Sequence, residues 1–386
     1  MSDPLATATL SRLREHMDRT PFDWLVLGSR ENVGYVTGYR SVAGDIFPTH
    51  QMVAIVSQTD VILVAPAADV GAAGEHLALD YIEPFGTFFF ETAHQDQLNP
   101  TIARRHENLA GAFSSAIRRF GVAGRVGVDG GLDEPAALAA QVPGLRFESV
   151  GQWMQTVRSV KLKAEVDRLA EAARLADEGI QAALATASSG VSERDLAAVV
   201  GTTMAAGGGT PRFIVVTSGE RSALSDAHPT SRLWQKGELL RFDVGCTYDG
   251  YWSDLGRTAV LGEPSDLQVR RYEAIKAGED AQLRIAAPGV LASTLFATAV
   301  ESVEDAGLRP YRRHHCGHGI GREVYEPPIV SPGTELPLQS GMVLCFETPF
   351  YEIGWGGMMV EDTVVITADG NQRLNHSDRS LRVVDG

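Results

Sequence analysis

Cationic side chains are scarce in this chain. Across 386 residues, 34 lysines and arginines stand against 49 aspartates and glutamates, a formal net charge of −15. Phosphate backbones demand a basic face, so nucleic acid is not an expected partner, and adsorption to anionic membranes is disfavoured. Long apolar runs are missing too: no stretch approaches about 18 uninterrupted apolar residues, so no membrane span is expected. The opening run "MSDPLATATLSRLREHMD" lacks the apolar centre of a secretory signal, and none is expected. Cysteine occurs three times, at 246, 316 and 345. An odd set cannot fully pair and fits a reducing cytoplasm, the expected location. The three read as small buried side chains, because thiolate ligation fits poorly with the carboxylate-rich set described below.

What is present points to two domains, since 386 residues exceed what one core usually needs. The first segment alternates apolar, β-branched runs (22–28, 51–57, 60–66, 125–130) with helical periodicity at 4–19 and 101–119, an α/β pattern. The character changes near 155–162. From Lys163 to about Ala187, apolar residues recur at helical spacing among charges, and a second helix starts after Ser192, whose hydroxyl suits an N-cap. Strands follow, then two helices, then strands again at 341–348 and 359–367.

The stretch "ELLRFDVGCTYDGYWSDLGRTAV" holds Asp-Gly between two strand-like runs, a strong hairpin signal. With Asp249 and Gly250 as the loop, Asp243 faces residue 256 and Asp254 lies diagonally beside it. Both carboxylates then share a sheet face, provided no bulge intervenes. Alone, such a pair reads equally well as two solvated surface aspartates. A second pair alters the balance: Glu347 in "MVLCFETPF" and Glu361 in "MMVEDTVVIT" sit inside apolar strands, where acids are rare without a partner. His318, flanked by glycines 317, 319 and 321, allows close approach of backbone and metal. His314 and His315 lack such flanks and read as polar or supporting residues. Four oxygen donors and one nitrogen suit Mn, Fe(II), Co or Zn, and two ions about 3.5–4 Å apart would activate a bridging water.

These residues, in "FDVGCTYDGYWSDLGRT", "GHGIG", "FETPFY" and "MVEDTVVIT", resemble the M24 metallopeptidases of the creatinase and prolidase type. The resemblance runs from about residue 158 to the C-terminus, and "ENVGYVTGY" (31–39) looks like the N-terminal domain of aminopeptidase P and prolidase. It implies an α/β N-terminal domain over 1–157, followed by an α+β pita-bread catalytic domain over 158–386. It further implies metal ligation by Asp243, Asp254, His318, Glu347 and Glu361, with Glu347 also the general base and His228 lining the substrate site. A homodimer is implied as well. The loop 39–51 reads either as a segment reaching a catalytic pocket or as an ordinary connection.

Three positions depart from the family pattern. Tyr325 in "VYEPP" stands where prolidases have a second histidine. A phenol can donate the same kind of hydrogen bond but stays neutral at pH 7. Tyr325 therefore reads as a donor to the developing oxyanion or as a wall of the pocket. Met359 replaces an arginine, which implies a lost cation and a more apolar pocket, and Thr348 replaces a proline. The expectation is a two-metal amide hydrolase, nearest to an Xaa-Pro dipeptidase or aminopeptidase. Manganese is the expected metal, with Co, Zn or Fe possible. The alternative is the same fold acting on a small non-peptide substrate, in the manner of creatinase or ectoine hydrolase. A non-catalytic interaction protein is the third reading.

Overall fold

The computed structural model describes residues 3–91, 98–130 and 144–385. The chain divides into two compact units, Met1–Val157 and Arg158–Gly386.

In the first unit, β1 (Trp24–Leu27), β2 (Val53–Val56), β3 (Val61–Pro66), β4 (Ile82–Phe85), β5 (Arg125–Asp129) and β6 (Arg146–Ser149) lie in the order β4-β3-β2-β1-β5-β6. β1 to β3 run antiparallel to one another, while β4, β5 and β6 join in parallel. The runs of β1, β2 and β3 are near-continuously apolar because both of their faces are covered, whereas β6 at the edge is largely exposed. Leu25, Leu27, Ala54 and Leu63 pack with Leu13 and Met17 of the helix Pro4–Met17, whereas Val26, Ile55 and Ile62 pack with Phe113 and Ile117 of the helix Leu109–Arg119.

The helix expected over 101–119 is two helices, Leu98–Ala103 and Leu109–Arg119. Between them His106 exchanges backbone hydrogen bonds with Pro84 and Gly86, and Asn108 caps the second helix through the Gly111 N–H. "ENVGYVTGY" falls largely in the helix Arg30–Thr37, closed by Gly38 at φ 75°. Asp69 ties the loop 39–51 at both ends. It accepts from the Tyr39 hydroxyl at 2.6 Å, and its other oxygen lies 2.9 Å from His50 Nε2.

The second unit carries β7 (Thr210–Ser218), β8 (Leu239–Tyr248), β9 (Tyr251–Trp252), β10 (Leu255–Leu261), β11 (Gly317–Gly319), β12 (Glu326–Ile329), β13 (Val343–Glu347), β14 (Phe350–Glu352), β15 (Gly356–Met358), β16 (Glu361–Ile366), β17 (Asn371–Arg373) and β18 (Arg382–Val384). Its main sheet runs β12-β11-β13-β16-β10-β8-β7. Helices Lys163–Thr186 and Glu193–Ala206 cover Phe242, Val244 and Leu255. Helices Asp266–Ile285 and Ala292–Asp305 share a core with Leu344, Phe346 and Val364. Ser192 caps its helix by accepting from the Asp195 N–H at 3.2 Å. β16 begins at Glu361, two residues later than expected. Thr258 Oγ1 is the reason: it both donates to the Met359 carbonyl and accepts from the Met359 N–H, at 2.8 Å each, in place of a strand ladder.

Candidate metal centre

Asp249 (φ 48°) and Gly250 (φ 85°) form the two-residue turn joining Tyr248 to Tyr251. Both central residues take positive φ, as this hairpin type requires. Thr247 opposes Trp252, Val244 opposes Leu255 and Asp243 opposes Gly256, so no residue is inserted and the parity of Asp243 and Asp254 holds. Gly256 in turn opposes Glu361, Glu361 opposes Glu347, and Cys345 opposes both Thr363 and His318. Residues directly opposite, or two apart on one strand, share a sheet face. One face therefore presents Asp243, Asp254, Glu361, Glu347 and His318, while Phe242, Val244, Leu344 and Phe346 point the other way into helix-covered cores.

The side chains converge. Asp243, Asp254 and Glu361 bring carboxylate oxygens within 4.8 Å of one another, and so do the ligand atoms of His318, Cys345 and Glu361. His318 Nδ1 bonds to the Gly319 carbonyl at 3.0 Å, which leaves Nε2 bare. That nitrogen faces Asp254 Oδ2 at 3.5 Å without a hydrogen bond, and Glu361 Oε2 is likewise buried without a partner. Buried polar atoms are seldom left unpaired, and two of them aimed into an acid cluster are what a cation would satisfy. The residues thus fit divalent metal. Cys345 Sγ makes only long contacts, 3.7 Å to the Asp254 carbonyl and to Thr363 Oγ1.

The acids differ in charge state. Burial, then the neighbouring Asp254, pushes Asp243 up to about 7 against the pull of Arg241. Burial raises Asp254 against the pull of the adjacent His318 ring, and it holds Glu361 well above the carboxylate range with the other acids adding to it. Glu347 goes the other way. Burial opposes its charge, but the His315 hydrogen bond and the Arg313 charge win and draw it down. Like charges this close ionise together only with cations among them.

The sequence matches "Metallopeptidase family M24" over residues 167–368 and "Creatinase/Prolidase N-terminal domain" over 10–160. The chain belongs to metallopeptidase family M24. It is similar to the Xaa-Pro dipeptidase of Pyrococcus furiosus, 34% identical over 237 residues, which is 61% of this chain and 68% of that one. The Xaa-Pro dipeptidase of Pyrococcus horikoshii is 28% identical over 96% of this chain and 98% of its own. Among solved structures, dipeptidase PepE from Mycobacterium ulcerans superposes over 100% of both chains with a TM-score of 0.81 at 26% identity. The prolidase of Pyrococcus furiosus does so over 94% of this chain and 99% of its own, with a TM-score of 0.76 at 26% identity. The fold of this M24 enzyme is an α/β N-terminal domain followed by a pita-bread catalytic domain, and its activity is that of a hydrolytic, divalent-metal-dependent peptidase.

Two cavities meet at the M24 site. One, of 310 Å³, is lined by Glu347, Glu361, Arg313, His315, Tyr351 and Met359 among others. The other, of 610 Å³, has apolar walls from Pro211, Phe213, Ile214, Val215 and Pro229, with His228 on its lining. Asp226, Asp243, Asp254 and Tyr325 border both. His228 is exposed and stands on the larger cavity rather than within the acid cluster. Tyr325 is half-exposed, its ring stacked on His318 with centroids 3.7 Å apart at 17°.

Position 359 supplies no cation, but two arginines approach the acids from other elements. Arg313 Nη2 lies 3.6 Å from Glu347 Oε2. Arg241, fully buried, donates to Asp243 Oδ2 at 3.1 Å and to the carbonyls of Ser222, Leu224 and Ser225. Sequence reasoning passed over both arginines. Arg241 was visible in principle, two residues before Asp243 and so on its face; Arg313 had no such signal. Met359 itself packs on Gly256, where a Cβ would come within 2.5 Å of its Cγ. Thr348, in the proline position, donates to the Ile275 carbonyl at 2.6 Å and ties the strand end to a helix.

Proposed function

We propose that this M24 metallopeptidase is an Xaa-Pro dipeptidase working with two divalent ions. The observation that carries the reading is the single sheet face that four carboxylates and His318 share, with Asp243, Asp254 and Glu361 drawn together and His318 Nε2 and Glu361 Oε2 buried and unpartnered. Asp243, Asp254, His318, Glu347 and Glu361 would hold the ions, and four oxygen donors to one nitrogen favour manganese. Bound there, the ions would polarise the scissile carbonyl and lower the pKa of a water between them. The dipeptidase names of the relatives support the substrate.

Glu347 accepts the proton of the attacking water. Arg241 and Arg313 hold Asp243 and Glu347 in place. Burial, reinforced by the acids, pushes the Tyr325 hydroxyl far above its ordinary value, so it serves as a neutral donor toward the carbonyl oxygen and not as a proton shuttle. His228 offers a second donor from the larger cavity, and Asp226, where the cavities join, faces the substrate amine. The enzyme works in the cytoplasm as a homodimer.

Tyr325 and Met359 favour one other reading, the same chemistry on a small non-peptide amide. The experiment is proline release from a panel of Xaa-Pro dipeptides by manganese-loaded protein against a stripped control. Metal-dependent release at about 1 per second or faster supports the dipeptidase. Folded, loaded protein that releases no proline yet opens a small non-peptide amide supports the alternative.

A further inference from the structure

His315 stands outside the ligand set, yet it lies against Glu347, His318 and Tyr325. Its Nδ1 lies 3.0 Å from Glu347 Oε1, and the residue is only 6% exposed. The Gly317 N–H donates to the same nitrogen at 3.4 Å, the longer of its two contacts. Beside a carboxylate oxygen at 3.0 Å, the tautomer with hydrogen on Nδ1 is the favoured one, and the Gly317 contact then gives way. The ring cannot easily turn away. Tyr325 lies edge-on to it at 5.7 Å and 89°, His318 at 6.2 Å and 75°, and His314 at 4.2 Å and 84°. Arg313 approaches the other oxygen of Glu347, so each carboxylate oxygen faces one donor from the segment 313–315.

We infer that His315 is a positioning residue: its Nδ1–H fixes the carboxylate plane of Glu347, and through it the geometry in which this site takes up its ions. This rests on the two-metal reading above. A ligand carboxylate bonded on one oxygen presents the remaining lone pairs in a set direction, and partners of this kind are worth about 10–100-fold in metal affinity when removed. Tyr325, stacked on His318 but bonded to no ligand among the described contacts, does not share this role. The nitrogen donor of this wall comes from position 315, and position 325 supplies ring surface and a hydroxyl at the cavity mouth.

The test is calorimetric titration of the stripped full-length chain with Mn²⁺, for wild type, His315→Phe, His315→Asn and Tyr325→Phe, with circular dichroism confirming each fold. His315→Phe keeps ring bulk without the N–H, whereas His315→Asn keeps an N–H near the position of Nδ1. The expected result is a loss of about 10–100-fold in the affinity of the weaker ion for His315→Phe, with His315→Asn and Tyr325→Phe within about threefold of wild type. His315→Phe binding both ions like wild type overturns the inference. So does His315→Asn failing as badly as His315→Phe, because ring packing would then explain the loss. Wild type that takes up fewer than two ions overturns the two-metal reading and this inference with it, a result distinct from the first two.

Discussion

Asp254 is the residue on which the metal assignment is most exposed to test. It sits 3.5 Å from the bare nitrogen of His318 and within 4.8 Å reach of Asp243 and Glu361. Asp254→Asn preserves volume and removes a charge that repels its neighbours. Turnover should fall at least about 100-fold, metal uptake should drop, and the melting temperature of the stripped protein should hold or rise. Full activity in this variant would refute the assignment. Tyr325→Phe should lower kcat about tenfold with KM within about threefold, because only a hydroxyl donor to the transition state is removed; unchanged kcat would make Tyr325 a wall. At this scale the shared sheet face of Asp243, Asp254, His318, Glu347 and Glu361 was legible, because acids inside apolar strands and a glycine-flanked histidine are chemically expensive exceptions. His315 was read only as polar or supporting, with no partner named; Arg313 gave no signal, because its partner lies across the fold and no local pattern names it.

Hairpin parity carried the site at the level of elements: Asp249-Gly250 set the register, and the register put Asp243 and Asp254 on one face. Two further elements shape the surroundings of His318 and Tyr325. Gly317, at φ 131°, lies so close to β13 that a Cβ would come within 2.3 Å of the Cys345 carbonyl oxygen. Gly317→Ala should cost at least about 1–3 kcal/mol from backbone strain alone and shift His318, read as lower urea midpoint and weaker metal binding. The loop before β12 is held by Glu326, fully buried, which pairs with Lys161 at 2.9 Å and Arg158 at 3.2 Å and accepts the Arg322 N–H. Burial opposes its charge, but Lys161 and Arg158 draw its pKa below the ordinary value. Its contribution is therefore present above the ordinary carboxylate pKa and lost as pH falls through the folded one. Lys161→Met should cost about 3 kcal/mol in urea unfolding at pH 7, near the lower end for a broken buried pair because Arg158 remains. Where an element depended on non-local pairing, the sequence misled. The expected single helix over 101–119 breaks because His106 is drawn into hydrogen bonds with Pro84 and Gly86, which no helical periodicity announces.

For the molecule as a whole, the acid cluster makes stability depend on pH in an unusual direction. Asp243 is pushed up to about 7, Glu279 to about 8 through burial and the adjacent Asp362, and Asp254 and Glu361 are raised as well. Between the ordinary carboxylate pKa, about 4, and these values, the folded stripped chain binds more protons than the unfolded one, so its stability falls as pH rises. The stripped protein should lose several degrees of melting temperature between pH 5.5 and pH 8, and loading with Mn²⁺ should remove the cluster's share of that slope while leaving that of Glu279, which pairs with Arg379 outside the cluster. Parallel curves with and without metal would mean that the cluster does not hold the ions.

Two-metal hydrolysis is tested most directly by one titration, in which stripped protein receives Mn²⁺ stepwise while metal content and hydrolysis of an Xaa-Pro dipeptide are followed together. The expected result is no turnover at the start and a plateau at two ions per chain. Undiminished turnover in protein carrying no metal, or a plateau at a single ion, would contradict it.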